Sequence, residues 1–366
     1  LSQAIAVFAA ETPASFPAAT SPASAPAVVD VPPHSLSGLY AADIRSEAAL
    51  GQPFVKGTRI AVQWAALEPQ EGNYDFAAID AQDMPLLAEL LPDAWSRDNR
   101  VLIGYVNAML KNHREQMIET WIDPPNHLSS LPETEWLRPG VFTMGFARRF
   151  STYKRADLIF DDIPRLADIL VKNNWPVNFL FAGKAHPADE PGKYVLKLIL
   201  DNQEELYNRS NGLGKLVFIP GYDMRVAKMM VAGVHAWLNS PKRPLEASGT
   251  SGMKAAMNGV PNISIMDGWW VEGYHEGRTG WKFGYEGPVD DADLSEAPDA
   301  LLYTEDAGAF YELLPSVLET FYHCPNDYLA RALCNLQLNV PIFNTHRMAA
   351  EYVAQYGLRQ IGRAHV

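Results

Sequence analysis

Short apolar segments alternate with helical segments between residues 141 and 267, and this alternation restricts the fold more than any other feature of the sequence. The predicted strands are Val141–Ala147, Val177–Ala182, Leu216–Pro220 and Ile263–Met266. Helical patterns lie between them, for example at Ala156–Lys172 and Lys193–Asn208. Short apolar strands separated by helices are typical of a parallel sheet covered on both faces. The sequence therefore predicts an α/β fold with a doubly wound parallel sheet and helices on both faces.

Basic, aromatic and small residues follow the predicted strands. They are Arg148, Arg149, Tyr153 and Lys154 after the first strand, Gly183, Lys184 and His186 after the second, Tyr222 after the third, and Glu246 to Lys254 in the fourth connection. Because ligands of such sheets bind beyond the carboxyl ends of the strands, we expect these residues to share one rim. The arginine pair with Lys154 and Lys184 would form a local basic pocket for anions. Taken singly, each arginine is better explained as a solvated or ion-paired surface group, and it is the joint placement that favours an anion pocket.

Residues 243–259 read RPLEASGTSGMKAAMNG, in which small residues lead into a predicted helix that carries one lysine. Small residues let a ligand approach the backbone, and free N–H groups at a helix start attract anions. Lys254 lies four residues after Thr250, so both face the same side of the helix. A phosphate near Thr250 and Ser251 fits pyridoxal phosphate, whose other end forms a Schiff base with a lysine. The alternative is an ordinary capped helix with a solvated lysine.

The net charge, the spacing of cysteines and histidines and the length of the apolar runs exclude several classes of protein. A net charge of −13 and a pI of about 5.1 argue against nucleic acid or an anionic membrane as a partner. Cys324 and Cys334 lie ten residues apart without a CxxC pattern, and the nine histidines show no metal-binding spacing. No apolar run approaches the ~18 residues of a membrane span. We expect a metal-free protein of a reducing, cytoplasmic compartment.

The chain divides into four predicted regions. Residues 1–35 are rich in Ala, Pro and Ser and are predicted to be disordered. Residues 36–89 include a stretch, 54–80, that resembles a strand and loop of a TIM-barrel glycoside hydrolase, but such a barrel needs roughly 250 residues. Glu68 and Glu71 there are therefore interpreted as turn residues. Residues 90–360 form the main domain, which opens with a long amphipathic helix from about Trp95.

The last region, residues 361–366, reads IGRAHV and resembles the translation of a sequencing adapter. Together with the hydrolase-like stretch and a first residue other than methionine, it predicts a chimeric or assembled fragment with a non-native tail.

Four blocks of sequence resemble the alpha-glucan (glycogen, maltodextrin) phosphorylases, in the order that this family shows. They are GFARRFSTYKRADLIF, FLFAGKAHPADEPGK, RPLEASGTSGMKAAMNGVPNISIMDGWWVEG and VPIFNTHRMAAEYVAQY. The resemblance runs from about residue 90 to 358. It implies the second domain of a GT-B-type glycosyltransferase fold, in which the active site lies between two domains. A nucleotide-sugar transferase shares this fold, but the context of the lysine speaks against that function.

The resemblance also implies roles for individual residues. Lys254 would hold pyridoxal phosphate, with Thr250 and Ser251 at its phosphate and Tyr222 against its ring. Arg148, Arg149 and Lys154 would gather inorganic phosphate beside the cofactor. The predicted substrate-binding residues are Tyr153, Lys184, His186, Glu246, Ala247, Ser248 and Gly249, of which the last four would bind hydroxyls of a glucosyl unit. Many family members have Lys then Arg where this chain has Arg148 and Arg149.

The implied reaction is the reversible phosphorolysis of terminal alpha-1,4 glucosyl units to glucose 1-phosphate, in which the phosphate of the cofactor passes a proton to the substrate phosphate. Two phosphates in contact repel each other unless cations and helix-end amides surround them. The expected partners are glucan, inorganic phosphate and, as a possibility, further copies of the chain. The residues before about 90 do not resemble the first domain of the family, which carries a glycine-rich loop, so we expect one wall of the active-site cleft to be missing from this sequence. The alternative is therefore an inactive half that binds cofactor or glucan only.

Overall fold

A computed structural model describes residues 84–120, 126–288 and 300–356. The predictions for residues 1–35, for the hydrolase-like stretch and for 361–366 lie outside the described residues. Two compact units are present, and most of the described residues belong to the unit Trp95–Asn339. The other unit contains residues 84–94 and 340–356. In it, Asn344 Oδ1 accepts a hydrogen bond of 2.9 Å from the N–H of Arg347 near the start of the last helix.

The described residues form the following elements, numbered here in chain order. The strands are β1 Phe142–Ala147, β2 Val177–Ala182, β3 Gly214–Ile219, β4 Ala236–Asn239, β5 Asn262–Ile265 and β6 Gly280–Phe283. The helices are α1 Met84–Thr120, α2 Ile163–Asn173, α3 Glu190–Arg209, α4 Met224–Gly233, α5 Thr250–Met257, α6 Trp270–Gly273, α7 Ala300–His323, α8 Pro325–Cys334 and α9 Thr345–Tyr356.

The strands form one parallel sheet in the order β3-β2-β1-β4-β5-β6. In this order the chain runs outward from β1 to β3 and then returns to the other side of β1 with β4. The carboxyl ends of β1 and β4 therefore flank the topological switch point, where doubly wound sheets bind ligands. The predicted α/β class and doubly wound sheet are confirmed.

Helices cover both faces because side chains along each strand alternate between them. On one face, Phe142, Met144 and Phe146 of β1 pack in a buried cluster with residues of α2, α3 and α7. On the other face, Leu180 of β2 lies in a second cluster with residues of α1 and α4, among them Leu102. Strands β1 and β2 are buried along their whole length, which explains their largely apolar sequences.

The predicted elements differ from the observed ones at identifiable points. Strand β2 has the predicted bounds, but the four-residue strands β4 and β6 were not predicted, because such short runs carry little periodicity. The helix predicted from Ala156 is wrong in its first part. A 3₁₀ turn at Leu158–Phe160 comes first, and α2 begins only after Asp162, whose carboxylate accepts the N–H of Arg165 as an N-cap.

The seam between β1 and β4 is closed at its amino end by His235. The backbone N–H of His235 donates to the carbonyl of Thr143 at 2.7 Å, and the ring nitrogen Nδ1 accepts the backbone N–H of Thr143 at 3.0 Å. The imidazole ring lies 4.7 Å from the ring of Phe321 and 6.2 Å from that of Phe142, between centroids. Desolvation in this apolar setting lowers the pKa of His235 from 6.5 to about 4.

The stability of the domain should therefore depend on pH through His235. Because the pKa is lower in the folded state, the unfolded chain binds the proton first as the pH falls. The free energy of unfolding should decrease between about pH 6.5 and pH 4, by up to ~3 kcal/mol for this group. Urea denaturation at several pH values measures this, and His235→Gln should lose that part of the slope.

The half-buried Asp157 and the buried Asp267 both have a raised pKa and act in the opposite direction over the acid range. They are common to wild type and variant, so they cancel in the comparison. His186→Asn, which alters an exposed histidine, is the control. An identical slope for wild type and His235→Gln would contradict the assignment.

Candidate functional site

The candidate site lies at the carboxyl ends of β1 and β4. Arg148 directly follows β1, and its N–H donates to the carbonyl of Ala182 at 3.1 Å, next to the end of β2. Asn239 ends β4, and its amide donates to Ser264 Oγ on β5 at 3.1 Å. The Arg148 guanidinium donates to Asn239 Oδ1, so the two strands are joined by side chains at the switch point.

Glu246 is the central residue of the site. Its Oε2 atom accepts a hydrogen bond of 2.8 Å from Arg148 Nη1, and the same oxygen is bonded by Lys154 Nζ. The side chains are buried, with 6% of Glu246, 9% of Lys154 and 10% of Arg148 exposed. Two cations and one carboxylate leave a net charge of +1 in a setting with little water, where an anion is attracted strongly.

A clamp between two loops positions the Glu246 backbone. The N–H of Glu246 donates to Asp267 Oδ2 at 2.9 Å, and the other oxygen of Asp267 accepts the N–H of Gly268 at 2.9 Å. The N–H of Trp269 donates to the carbonyl of Ser248 at 2.8 Å. Gly268 has a φ of 56°, and a Cβ atom there would lie 2.6 Å from the Ser248 oxygen, so the clamp requires glycine.

Asp267 was missed by the sequence reasoning, although it lies in a block quoted above. Burial raises the pKa of its carboxyl above the usual range, and the N–H groups of Glu246 and Gly268 oppose that shift. The signal that identifies it is its place two residues after Ile265, the end of β5, on the rim where ligands bind.

Lys154 ends the 3₁₀ turn Thr152–Lys154 after β1. Its N–H donates to the carbonyl of Ser151 at 3.0 Å, and the N–H of Lys242 donates to the carbonyl of Tyr153 at 2.7 Å. Lys154 Nζ also lies 4.4 Å from the centroid of the half-buried Tyr153 ring. This cation–π contact and the Glu246 carboxylate together compensate the buried ammonium.

Helix α5 begins beside Glu246. A Cβ atom on Gly249, the residue before α5, would lie 3.5 Å from Glu246 Cγ, so the Glu246 side chain packs against the helix start. On Gly252 a Cβ atom would lie 2.5 Å from Asn262 Oδ1, which shows how closely the first turn approaches β5. The first-turn N–H groups of a helix lack partners within it and attract anions.

Lys254 and Thr250 are exposed on α5, and Ser251 is half-buried. Ser251 Oγ is a buried atom without a hydrogen-bond partner among the described residues, and so is Arg148 Nε. Unpaired polar atoms of this kind are costly in a protein interior unless a ligand or water satisfies them. Both belong to the groups that the sequence assigns to phosphate binding.

The remaining predicted residues lie around this cluster. Tyr222 is half-buried, and burial raises the pKa of its phenol while the charge of Arg148 opposes the shift, so the two side chains interact electrostatically. Arg149, Lys184 and His186 are exposed. The structure thus brings Arg148, Lys154 and Glu246 into direct contact, whereas their assigned roles, like those of the exposed residues, stay predictions. Ala247 is exposed and Ser248 is half-buried.

Comparison with known proteins agrees with the α/β fold. Residues 141–284 match the family model described as carbohydrate phosphorylase. The chain is 38% identical over 277 residues to a maltodextrin phosphorylase of Thermococcus litoralis. The matched region covers 75% of this chain and 31% of that protein. The chain is also 38% identical over 256 residues to a glycogen phosphorylase of Aquifex aeolicus, and this match covers 68% of this chain and 35% of that protein. A glycogen phosphorylase of Mycobacterium tuberculosis is 33% identical over 304 residues, and this match covers 80% of this chain and 34% of that protein.

The parallel, doubly wound sheet places this domain in the α/β class, consistent with a phosphorylase domain of the GT-B type. The chain belongs, through this domain, to the alpha-glucan phosphorylase family, and the resemblance found in the sequence is confirmed. The chain spans about a third of the length of the curated relatives it matches. None of the described helices combines the length and the apolar character that crossing a membrane requires.

Replacing Glu246 should strengthen anion binding at this site. Glu246→Gln keeps the size and polarity of the side chain but raises the net charge of the cluster from +1 to +2. The affinity for inorganic phosphate should rise about tenfold, which corresponds to about 1.4 kcal/mol. Isothermal titration with inorganic phosphate at low ionic strength measures this affinity.

Glu272→Gln is the matched control, because it removes an equal charge from an exposed position on α6. It should leave the phosphate affinity within about twofold of wild type. Unchanged or weaker phosphate binding by Glu246→Gln would contradict the account of the cluster.

Proposed function

We propose that this domain binds pyridoxal phosphate and serves the reversible phosphorolysis of terminal alpha-1,4 glucosyl units, which yields glucose 1-phosphate. The observation that carries the proposal is the buried cluster of Arg148, Lys154 and Glu246 beside the start of α5. This cluster places positive charge, which attracts phosphate groups, beside a carboxylate that can accept hydrogen bonds from sugar hydroxyls. The relatives named above as maltodextrin and glycogen phosphorylases support the same reaction class.

The residues present fit the cofactor. Ser251 Oγ is buried without a partner among the described residues, and the first-turn amides of α5 point toward the same end of the helix. Lys254 is exposed and lies one turn further along α5, so its amine is accessible to the aldehyde carbon. When bound, the cofactor supplies a phosphate group that exchanges a proton with the substrate phosphate. In this proposal Tyr222 packs against the ring.

The inorganic phosphate is held, in this proposal, by Arg148 and Lys154 from the buried side and by Arg149 from the exposed side. Arg148 offers its unpaired Nε for this purpose. A guanidinium binds phosphate with fixed geometry, whereas an ammonium acts as a point charge, so the arginine orients the anion and the lysine adds attraction. The fixed charges also stabilise the negative charge that develops during transfer of the glucosyl group.

The glucosyl unit is bound by Glu246 together with Ala247, Ser248 and Gly249, the segment that Asp267 and Trp269 clamp. A carboxylate with a clamped backbone is a strong acceptor for sugar hydroxyl groups. Because Glu246 also bonds both cations, sugar and phosphate would meet on opposite sides of one charged group. We further propose a cytoplasmic protein whose substrates are glucan and inorganic phosphate, and a possible homo-oligomer.

One observation favours a second candidate function, a domain that binds the cofactor or glucan without turnover. Lys254 is exposed in the described part of the chain, and a lysine open to water suits binding better than group transfer, which requires the exclusion of water. Release of glucose 1-phosphate from maltodextrin and inorganic phosphate separates the two candidates. Measurable release supports the phosphorylase, and binding without release supports the second function.

Cofactor binding at Lys254 can be tested without activity. Addition of pyridoxal phosphate should produce the absorbance band of its lysine linkage, and borohydride should abolish the band and fix the label covalently. Mass spectrometry should then find the pyridoxyl group on Lys254. In Lys254→Ala both signals should disappear.

The control is Lys197→Ala, which removes an exposed lysine from α3 and should keep the band and the label. A label spread over several surface lysines, or a band that persists in Lys254→Ala, would sink the assignment.

A further inference from the structure

We infer that Arg155 and Asp306 are positioning residues that hold Lys154 in place for anion binding. The inference rests on the proposed function, since it concerns the same anion site. Neither residue received a role from the sequence, although Arg155 directly follows Lys154 in a quoted block. Asp306 lies on α7, 151 residues away in the chain.

Arg155 is buried, with 5% of the residue exposed. Its side chain makes its described hydrogen bonds to buried groups of the same domain. Its Nε donates to the carbonyl of Ser240 at 3.1 Å, and its Nη2 donates to the carbonyl of Pro241 and to Asp306 Oδ2, both at 2.7 Å. Its φ of 46° is in the left-handed region, which costs an arginine about 1 kcal/mol. The three bonds hold the backbone in this unfavourable conformation.

The loop after β4 bonds back to the same turn. Ser240 Oγ donates to the carbonyl of Lys154 at 3.2 Å and to that of Arg155 at 3.0 Å. The N–H of Lys242 donates to the carbonyl of Tyr153 at 2.7 Å. Residues 153–155 and 240–242 are thus bonded in both directions, and the Arg155 side chain supplies two of the bonds that hold the Lys154 backbone against the loop.

Asp306 completes the arrangement from α7. It is 2% exposed, and its Oδ1 accepts the N–H of Tyr285, just after β6, at 2.6 Å. Its negative charge neutralises Arg155, so the buried guanidinium needs no external anion. Arg155 therefore differs from Arg148, whose Nε is buried and unpaired within the described residues. Arg155 acts through Lys154 and does not contact substrate.

Trace acetylation of lysines tests the inference, because the reaction rate of each amine reports its local accessibility. Asp306→Asn keeps an acceptor for Tyr285 but removes the charge that holds Arg155. In this variant the labelling rate of Lys154 should rise at least fivefold, and the affinity for inorganic phosphate should fall about tenfold. The reference inside the same protein is Lys215, held by the carbonyls of Glu135 and Trp136 at 2.5 and 3.1 Å, whose rate should stay unchanged.

The matched control is Glu312→Gln, which removes an exposed carboxylate of α7 that lies 3.9 Å from Arg165. It should change neither the labelling of Lys154 nor the phosphate affinity. Unchanged labelling of Lys154 in folded Asp306→Asn would overturn the inference. A joint rise for Lys154 and Lys215 would also overturn it, since that result indicates general loosening of the fold.

Should Asp306→Asn fail to fold, the double variant Arg155→Met/Asp306→Leu takes its place, because an apolar pair can replace a buried ion pair with little loss of stability. It too should show faster labelling of Lys154, and a wild-type rate would overturn the inference. Failure of the proposed function gives a different result, in which the wild-type chain does not bind phosphate while the labelling of Lys154 still responds to Asp306.

Discussion

One buried carboxylate, Glu246, bonds two cations at the point where the sheet reverses its strand order, and the candidate site depends on this interaction. Removing an ammonium and a guanidinium from water costs several kcal/mol for each, so neither Lys154 nor Arg148 would stay buried without a partner. Glu246 and Asn239 supply the bonds, and the remaining charge of +1 is available to an anion. This contact therefore keeps two cations buried at the site, and their excess positive charge gives the site its affinity for phosphate.

The surrounding structure fixes the three side chains from different parts of the chain. The seam between β1 and β4 brings Arg148 beside Asn239, and the pair formed by Arg155 and Asp306 holds the turn that carries Lys154. Asp267 holds the backbone of Glu246 from the end of β5. Functional groups supported by a second set of bonds keep the geometry that catalysis requires, because the cost of ordering them is met during folding.

Part of this arrangement follows from local sequence. The alternation of strands and helices predicts the doubly wound sheet, and the rule that ligands bind beyond the strand ends predicts that Arg148 and Lys154 share a rim with residues 246–254. The pairing of Glu246 with both cations could not be predicted, because the partners are more than 90 residues apart and the sequence suggests a sugar contact instead. Asp306 lies in an ordinary helical pattern without a local signal. The strands β4 and β6 are too short for periodicity to reveal, and only tertiary pairing defines them.

A double-mutant cycle between Lys154 and Glu246 tests the central claim most directly. Lys154→Met, Glu246→Gln and the double variant are compared with wild type by urea denaturation. Each single change leaves a buried charge with fewer partners, whereas the double change removes both charges. The effects on the free energy of unfolding should therefore be non-additive by more than about 1 kcal/mol. Additivity within about 0.5 kcal/mol would contradict the claim that Glu246 holds the cation in place.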